Sequence, residues 1–269
     1  MPETTEALGL SGLAPGIREQ VAPFLNGIVK GFFPGGQLHS IHIVGSVLTP
    51  DYHPKTSDIN SVVILEHVDL EAIKRVAAIG KPYAKKAKNL SPPLVMTPAH
   101  IRDSLNVFPI EYLNFKLIHE TVWGEDIFSG LEIDRKDLRL QCERELEIML
   151  VGLRQGYLKM VEDDKKLTEA FFRSIKSYVP LFRGLIYLLG GETEKTKTPP
   201  VAACEVPVAA REVIDKLSAI TGVNTYAFAK VHERKKFGTR LSSEELGTAF
   251  EQYYEAASKL AEITDAAKI

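Results

Sequence analysis

The hydrophobic period changes once along this chain, near residue 134, and that change limits the folds open to it. Up to that point apolar residues alternate between two spacings. Ile17, Val21, Phe24, Leu25, Ile28, Val29 and Phe32 recur at helical intervals between Pro15 and Phe33. Pro34-Gly35-Gly36 stops that helix, and a β-rich run, Leu38 to Val44, follows and ends at Gly45-Ser46. A polar loop leads to a second expected strand, Asp58 to Leu65, and Asp69 is placed to cap a helix running to about Lys88. Further strands are expected at Pro93–Met96 and Val107–Phe115, with a short helix at Pro98–Ser104 between them.

After residue 134 only the helical period remains. Leu138, Cys142, Leu146, Met149, Leu153 and Tyr157 form one stripe of a long helix. A second helix, from about Leu167 to Leu188, carries Phe171, Ile175, Tyr178, Leu181, Phe182, Leu185 and Leu189, with Pro180 expected to kink it. Gly190 to Pro207 reads as a loop. Three shorter helices complete the chain at about Ala209–Thr221, Thr225–Lys236 and Ser242–Ala267, the last opened by the capping-box pair Ser242 and Glu245. The expectation is therefore an α/β (α+β) domain over residues 1–133, a mixed sheet with helices, followed by an all-helical bundle domain over 134–269.

Composition removes several function classes. A net charge of −2 gives no general attraction to nucleic acid or to an anionic membrane. No stretch approaches the roughly 20 apolar residues of a membrane span, and Met1–Gly12 lacks the pattern of a signal peptide. The two cysteines, Cys142 and Cys204, have no zinc-type spacing and suggest a reducing compartment rather than a disulfide framework. A cytoplasmic location is the expectation.

The chemistry is concentrated in Val44-Gly45-Ser46, eleven intervening residues, and Asp58-Ile59-Asn60-Ser61-Val62-Val63. A glycine at 45 lets a phosphate approach the backbone, and Ser46 with the following N–H groups can donate to its oxygens. Strand alternation puts Asp58 and Asn60 on one face, where two oxygen ligands can hold a divalent ion against the same phosphates.

These residues resemble the nucleotidyltransferase superfamily, the fold of DNA polymerase β and of aminoglycoside nucleotidyltransferases. Its pattern is a hydrophobic residue and Gly-Ser, a gap of this length, then Asp-hydrophobic-Asp/Glu-hydrophobic, with a third carboxylate from a later strand. Gly45, Ser46 and Asp58 match, and Asn60 stands where the second acid belongs. Glu111, in Val107-Phe108-Pro109-Ile110-Glu111-Tyr112-Leu113, is the candidate third carboxylate, and Val122-Trp123-Gly124-Glu125-Asp126 resembles the Gly-Glu segment that follows the third strand. The similarity covers about residues 36–130. It implies transfer of a nucleoside monophosphate from an NTP, with ATP the expected one, to an acceptor hydroxyl on a small molecule, a protein or an RNA. Asp58 and Glu111 would be catalytic, and Asp58, Asn60 and Glu111 would hold Mg²⁺. Gly45, Ser46, Asn60 and Arg183 would contact the nucleotide, in a cleft between the domains. A homodimer is open.

Blander readings stand beside these. Asp58 and Asn60 also suit strand-start capping, and Glu111 also suits a pair with Lys116. Lys81, Lys85, Lys86 and Lys88 suit a solvated helix face. His39 and His42 suit packed or surface positions, and Phe171, Phe172, Tyr178 and Phe182 suit bundle core. Arg173, Lys176 and Arg183 are the cations placed to meet a triphosphate. Asn60 replaces a carboxylate by an amide, which brings a dipole instead of a charge, so a second class remains open: a pseudo-enzyme of the same fold that binds a nucleotide or a partner without turnover.

Overall fold

The computed structural model describes residues 8–83, 89–160, 163–190, 206–237, 239 and 242–267. Helix α1 spans Pro15–Phe32, with proline at its start, and its predicted stripe is buried throughout. Strand β1 is Leu38–Val44, β2 is Asn60–Leu65, β3 is Leu94–Met96 and β4 is His119–Gly124. They form one mixed sheet in the order β3-β2-β1-β4. β1 runs antiparallel to both β2 and β4, and β2 runs parallel to β3. One face of this sheet is dry: Ile41, Ile43, Ile59, Val63 and Leu65 pack with α1 residues such as Phe24, Leu25 and Ile28. The opposite face of β1 and β2 is covered as well, with Ser40, His42, Val62 and Ile64 all buried.

Helix α2 (Leu70–Gly80) is capped by Asp69, whose Oδ1 accepts from the Ala72 N–H at 2.7 Å. The sequence predicts this helix to about Lys88, but it ends at Gly80, two residues before Pro82, which cannot extend it. Lys85, Lys86 and Lys88 lie outside the described residues. A short helix, α3, covers Pro98–Asp103 under a Thr97 cap.

The strand expected at Val107–Phe115 is a helix instead, α4, Pro109–Leu117. The local chemistry explains the correction. Pro109 occupies the first helical turn, where its missing N–H costs nothing, and Glu111 in the same turn favours the positive end of the helix. The buried side chain of Gln141 accepts from the Ile110 N–H at 2.8 Å and so caps the helix.

The chain divides into two compact units, one reaching Leu105 and including Phe115–Glu132, the other comprising Asn106–Asn114 and everything from Ile133. The second is helical: α5 (Arg135–Met160), α6 (Asp164–Leu189), α7 (Ala210–Thr221), α8 (Tyr226–Phe237) and α9 (Ser243–Ala266). α6 continues as helix through Pro180. Both halves of the Ser242–Glu245 capping box are formed. Phe171, Phe182, Phe228 and Tyr253 make the aromatic centre of this bundle, with Phe228 and Tyr253 centroids 4.1 Å apart. Cys142 is a buried free thiol in α5, and burial pushes it well above the usual thiol range. Cys204 and most of the Gly190–Pro207 segment lie outside the described residues.

Candidate functional site

The first half of the motif is built by the end of β1. Gly45 takes φ +83° and ψ −155°, a conformation open essentially to glycine alone, and turns the chain into a short 3-10 segment, Ser46–Leu48. Its carbonyl accepts from the Leu48 N–H at 3.0 Å, and the Ser46 carbonyl accepts from the Thr49 N–H at 3.0 Å. The backbone thus curls tightly over the strand end.

The loop to the second half closes on itself. Buried Ser57 donates its N–H to the His53 carbonyl at 2.8 Å, and its hydroxyl accepts from the His53 N–H at 3.0 Å. That turn sets down Asp58 at the edge of the sheet. Ile59 is fully buried and bonded on both backbone sides, its N–H to Asn89 at 2.7 Å and its carbonyl from the Ser91 N–H at 3.0 Å. With Ile59 anchored inward, the alternation of the strand leaves Asp58 and Asn60 both exposed on the opposite face. Asn60 pairs with Val44 across the ladder, and a Cβ placed on Gly45 would lie 3.7 Å from its Nδ2. Gly45, Asn60 and Asp58 therefore share one rim of the sheet.

Glu111 is not on this sheet. It sits in the first turn of α4, in the helical unit, with its exposed carboxylate accepting from Gln141 Nε2 at 2.8 Å. Lys116, its expected partner in the bland reading, instead donates to the Leu131 carbonyl at 2.6 Å. Arg183 is buried in the helical unit at 7 % exposure. Its guanidinium donates to the Asn114 side chain at 2.9 Å and to the Pro207 and Val208 carbonyls at 3.3 and 2.5 Å. That is the binding pattern of a group tying helix to loop. The side chains of Arg173 and Lys176 lie outside the described residues.

The strand that does flank β1 is β4, and it brings residues that the sequence reading passed over. The Val44 partner on β4 is His119, so Asn60, Val44 and His119 form one row across three strands. Glu120, the carboxylate of β4, pairs with Ile43 and therefore points to the opposite, core-side face, where it approaches Gly12. On the site face stand His119, Thr121, His42 and, from the loop beyond β4, Asp126. The β-prone run Thr121-Val122-Trp123 before Gly124 was the available signal of this strand. Gly124 ends it at φ +75°, with the His39 carbonyl where a Cβ would go.

His119 Nδ1–H donates to the Phe115 carbonyl at 2.7 Å, since a carbonyl only accepts, so Nδ1 carries a proton. Its Nε2 lies 2.9 Å from Asp126 Oδ1. Desolvation works to raise the Asp126 pKa, but hydrogen bonds from the Ser129 hydroxyl and N–H, with the His119 ring, outweigh it and bring the carboxyl down to about 2. His42 is fully buried, its Nδ1 2.9 Å from the Thr121 hydroxyl and its Nε2 2.9 Å from Ser40. Burial, with the neighbouring His119 and His39 rings, lowers its pKa to about 4, leaving it neutral at physiological pH. Phe128 packs against both imidazoles, at centroid distances of 4.6 and 5.5 Å.

No protein-family model matches the sequence, and no curated protein matches it. Among solved structures the chain is similar to spectinomycin adenyltransferase AAD(9) from Enterococcus faecialis, crystallised with ATP and spectinomycin. The TM-score is 0.51 at 11 % identity, over 90 % of this chain and 98 % of that one. Among the described residues no helix is long and apolar enough to cross a membrane. The chain has the nucleotidyltransferase-type fold of the aminoglycoside nucleotidyltransferases, a mixed four-stranded sheet with helices and a helical C-terminal region.

Proposed function

We propose that the chain is a magnesium-dependent nucleotidyltransferase that binds an NTP, with ATP the first choice, and transfers its nucleoside monophosphate to a hydroxyl of a small molecule. The observation that carries this reading is the shared rim of Gly45, Asp58 and Asn60 at the open end of the sheet, on a fold whose solved relative holds ATP and spectinomycin. The donor set fits one magnesium ion: a carboxylate and an amide oxygen, both hard ligands, both exposed on one face. When bound, the ion would neutralise phosphate charge and polarise the phosphoryl group. The protein's own share is positional. The Gly45 turn lets phosphate reach the backbone, Ser46 supplies a hydroxyl donor, and Asp58 supplies the one full charge of the motif.

Two observations favour a second reading, nucleotide binding without transfer. Asn60 supplies no charge, and Glu111, the candidate third acid, belongs to α4 rather than to a strand of the sheet. Calorimetric titration of ATP with and without Mg²⁺, together with pyrophosphate release in the presence of spectinomycin and related polyhydroxylated amines, tests both. Magnesium-dependent binding with acceptor-dependent pyrophosphate supports the transferase. Binding with no pyrophosphate for any acceptor supports the second reading. ATP binding that ignores magnesium overturns the transferase, and the absence of any ATP binding overturns both.

A further inference from the structure

We propose that His42, His119 and Asp126 form a binding site for a zinc-class divalent transition metal, separate from the magnesium–nucleotide rim. One ligand atom from each residue can be chosen so that all lie within 4.8 Å of one another. Tetrahedral zinc with bonds of about 2.0–2.2 Å needs ligand separations of roughly 3.3–3.6 Å. His119 Nε2 and Asp126 Oδ1 are at 2.9 Å, so they need only part slightly to admit an ion. The His42 ligand atom lies within 4.8 Å of both, so its ring would have to shift inward to complete the set.

The chemistry of the donors fits a borderline-soft ion better than magnesium. Two imidazoles and one carboxylate make an N₂O set of the kind that zinc and its neighbours take, with a fourth position left for water or another small ligand. The surroundings supply the orientation such sites need. The Nδ1–H of His119 is committed to the Phe115 carbonyl, which directs Nε2 outward as the ligand. Asp126 is held by the N–H groups of Phe128 and Ser129 at 3.0 and 3.1 Å, and by the Ser129 hydroxyl. His42 keeps a hydroxyl on each nitrogen, and either hydroxyl can remain as donor or acceptor while the other nitrogen turns to the metal. Phe128 forms an apolar wall against both rings. Exposure grades from buried His42 through His119 to exposed Asp126, which provides an entry path. On the ladder His119 lies two strand spacings from Asn60, roughly 10 Å between backbones, and His42, on β1, pairs with Val62, two residues along β2 from Asn60, so the two sites share no ligand.

The test uses the full-length, tag-free protein, stripped of metal and titrated with Zn²⁺ against a chromophoric chelator, and with Co²⁺ read by visible absorption. Stoichiometric uptake and a four-coordinate Co²⁺ spectrum are expected, with His119→Gln and Asp126→Asn each weakening Zn²⁺ at least about tenfold. Asp58→Ala should leave Zn²⁺ uptake unchanged, which separates this site from the magnesium rim. Circular dichroism of each variant checks that it is folded; Asp126, being exposed, keeps the test valid should His119→Gln fail to fold. No stoichiometric uptake by the wild type, or uptake unaltered in Asp126→Asn, overturns the proposal and leaves His119 and Asp126 as a structural pair.

Discussion

Gly45 and Asn60 face each other across the end of the β1–β2 ladder, the vacant Cβ position of the glycine 3.7 Å from the Asn60 amide nitrogen. That separation is ordinary van der Waals contact, so a methyl group has room. The backbone does not, at φ +83° and ψ −155°. Gly45→Ala should therefore destabilise the fold by about 1–3 kcal/mol through strain alone. It should also abolish nucleotide binding, since relief of the strain would move the turn. Urea denaturation and ATP titration of the same variant check both; wild-type stability would mean that the turn is not held by the glycine.

Asp58→Ala should remove magnesium-dependent ATP affinity, because Asp58 carries the only full charge of the motif. Ser46→Ala should weaken binding by about 0.5–1.5 kcal/mol, the worth of one hydrogen bond, or by up to about 3 kcal/mol if phosphate charge assists it. Calorimetry reads both. An Asp58→Ala protein that binds Mg–ATP normally would reduce the motif to a turn.

Asn60→Asp should strengthen magnesium binding and raise, or create, nucleotidyl transfer. Opposite charges in contact are worth about 1 kcal/mol in water and about 4 kcal/mol at an effective dielectric near 20. Desolvation and repulsion from Asp58 take back part of that, so a net gain of about 1–2 kcal/mol, roughly tenfold or somewhat more in affinity, is expected. Without metal the variant should melt lower than wild type. If neither magnesium affinity nor metal-free melting changes, position 60 does not meet a metal.

His42 makes stability fall in mildly acidic solution. Its pKa in the folded protein is lowered to about 4 against 6.5 in an unfolded chain, so between these values the unfolded chain takes up a proton that the folded one refuses. Stability is then fully present above about pH 6.5, declines as pH falls towards 4, and levels off below that, a loss of at most about 3 kcal/mol. The lowered Asp126 pKa acts in a separate window, between 3.8 and about 2. Urea midpoints from pH 7 to 4, with a chelator present, should show this slope, and His42→Gln should flatten it. A slope that persists in His42→Gln assigns the effect elsewhere.

Arg183→Lys should lower stability and spare the nucleotide. An ammonium group cannot reach the Asn114 side chain and two carbonyls together, as the planar guanidinium does. The loss should be about 1.5–3 kcal/mol. Thermal melting and Mg–ATP titration separate the roles. A variant that melts like wild type but loses ATP would put Arg183 in the nucleotide site instead.

The elements whose boundaries depend on near-neighbour chemistry were legible in the sequence. The α1 stripe, the Asp69 cap and the Ser242–Glu245 box each appear where the residues place them, because spacing and capping act over three or four residues. The polarity of the Asp58–Asn60 rim is of the same kind, since alternation about a buried Ile59 follows from strand geometry alone. Tertiary structure decided the rest. Val107–Phe115 has the apolar content of a strand, yet Pro109 with a cap from Gln141, 31 residues away, makes it a helix. That took Glu111 off the sheet. Which strand lies beside β1 is likewise a matter of long-range pairing, and it put His119 opposite Val44 while turning Glu120 to the core side. Arg183 reads as an available cation in sequence, but burial makes its donors the partners of Asn114, Pro207 and Val208. In each case the deciding energy was burial or a hydrogen bond to a residue distant in the chain, and no local pattern records it.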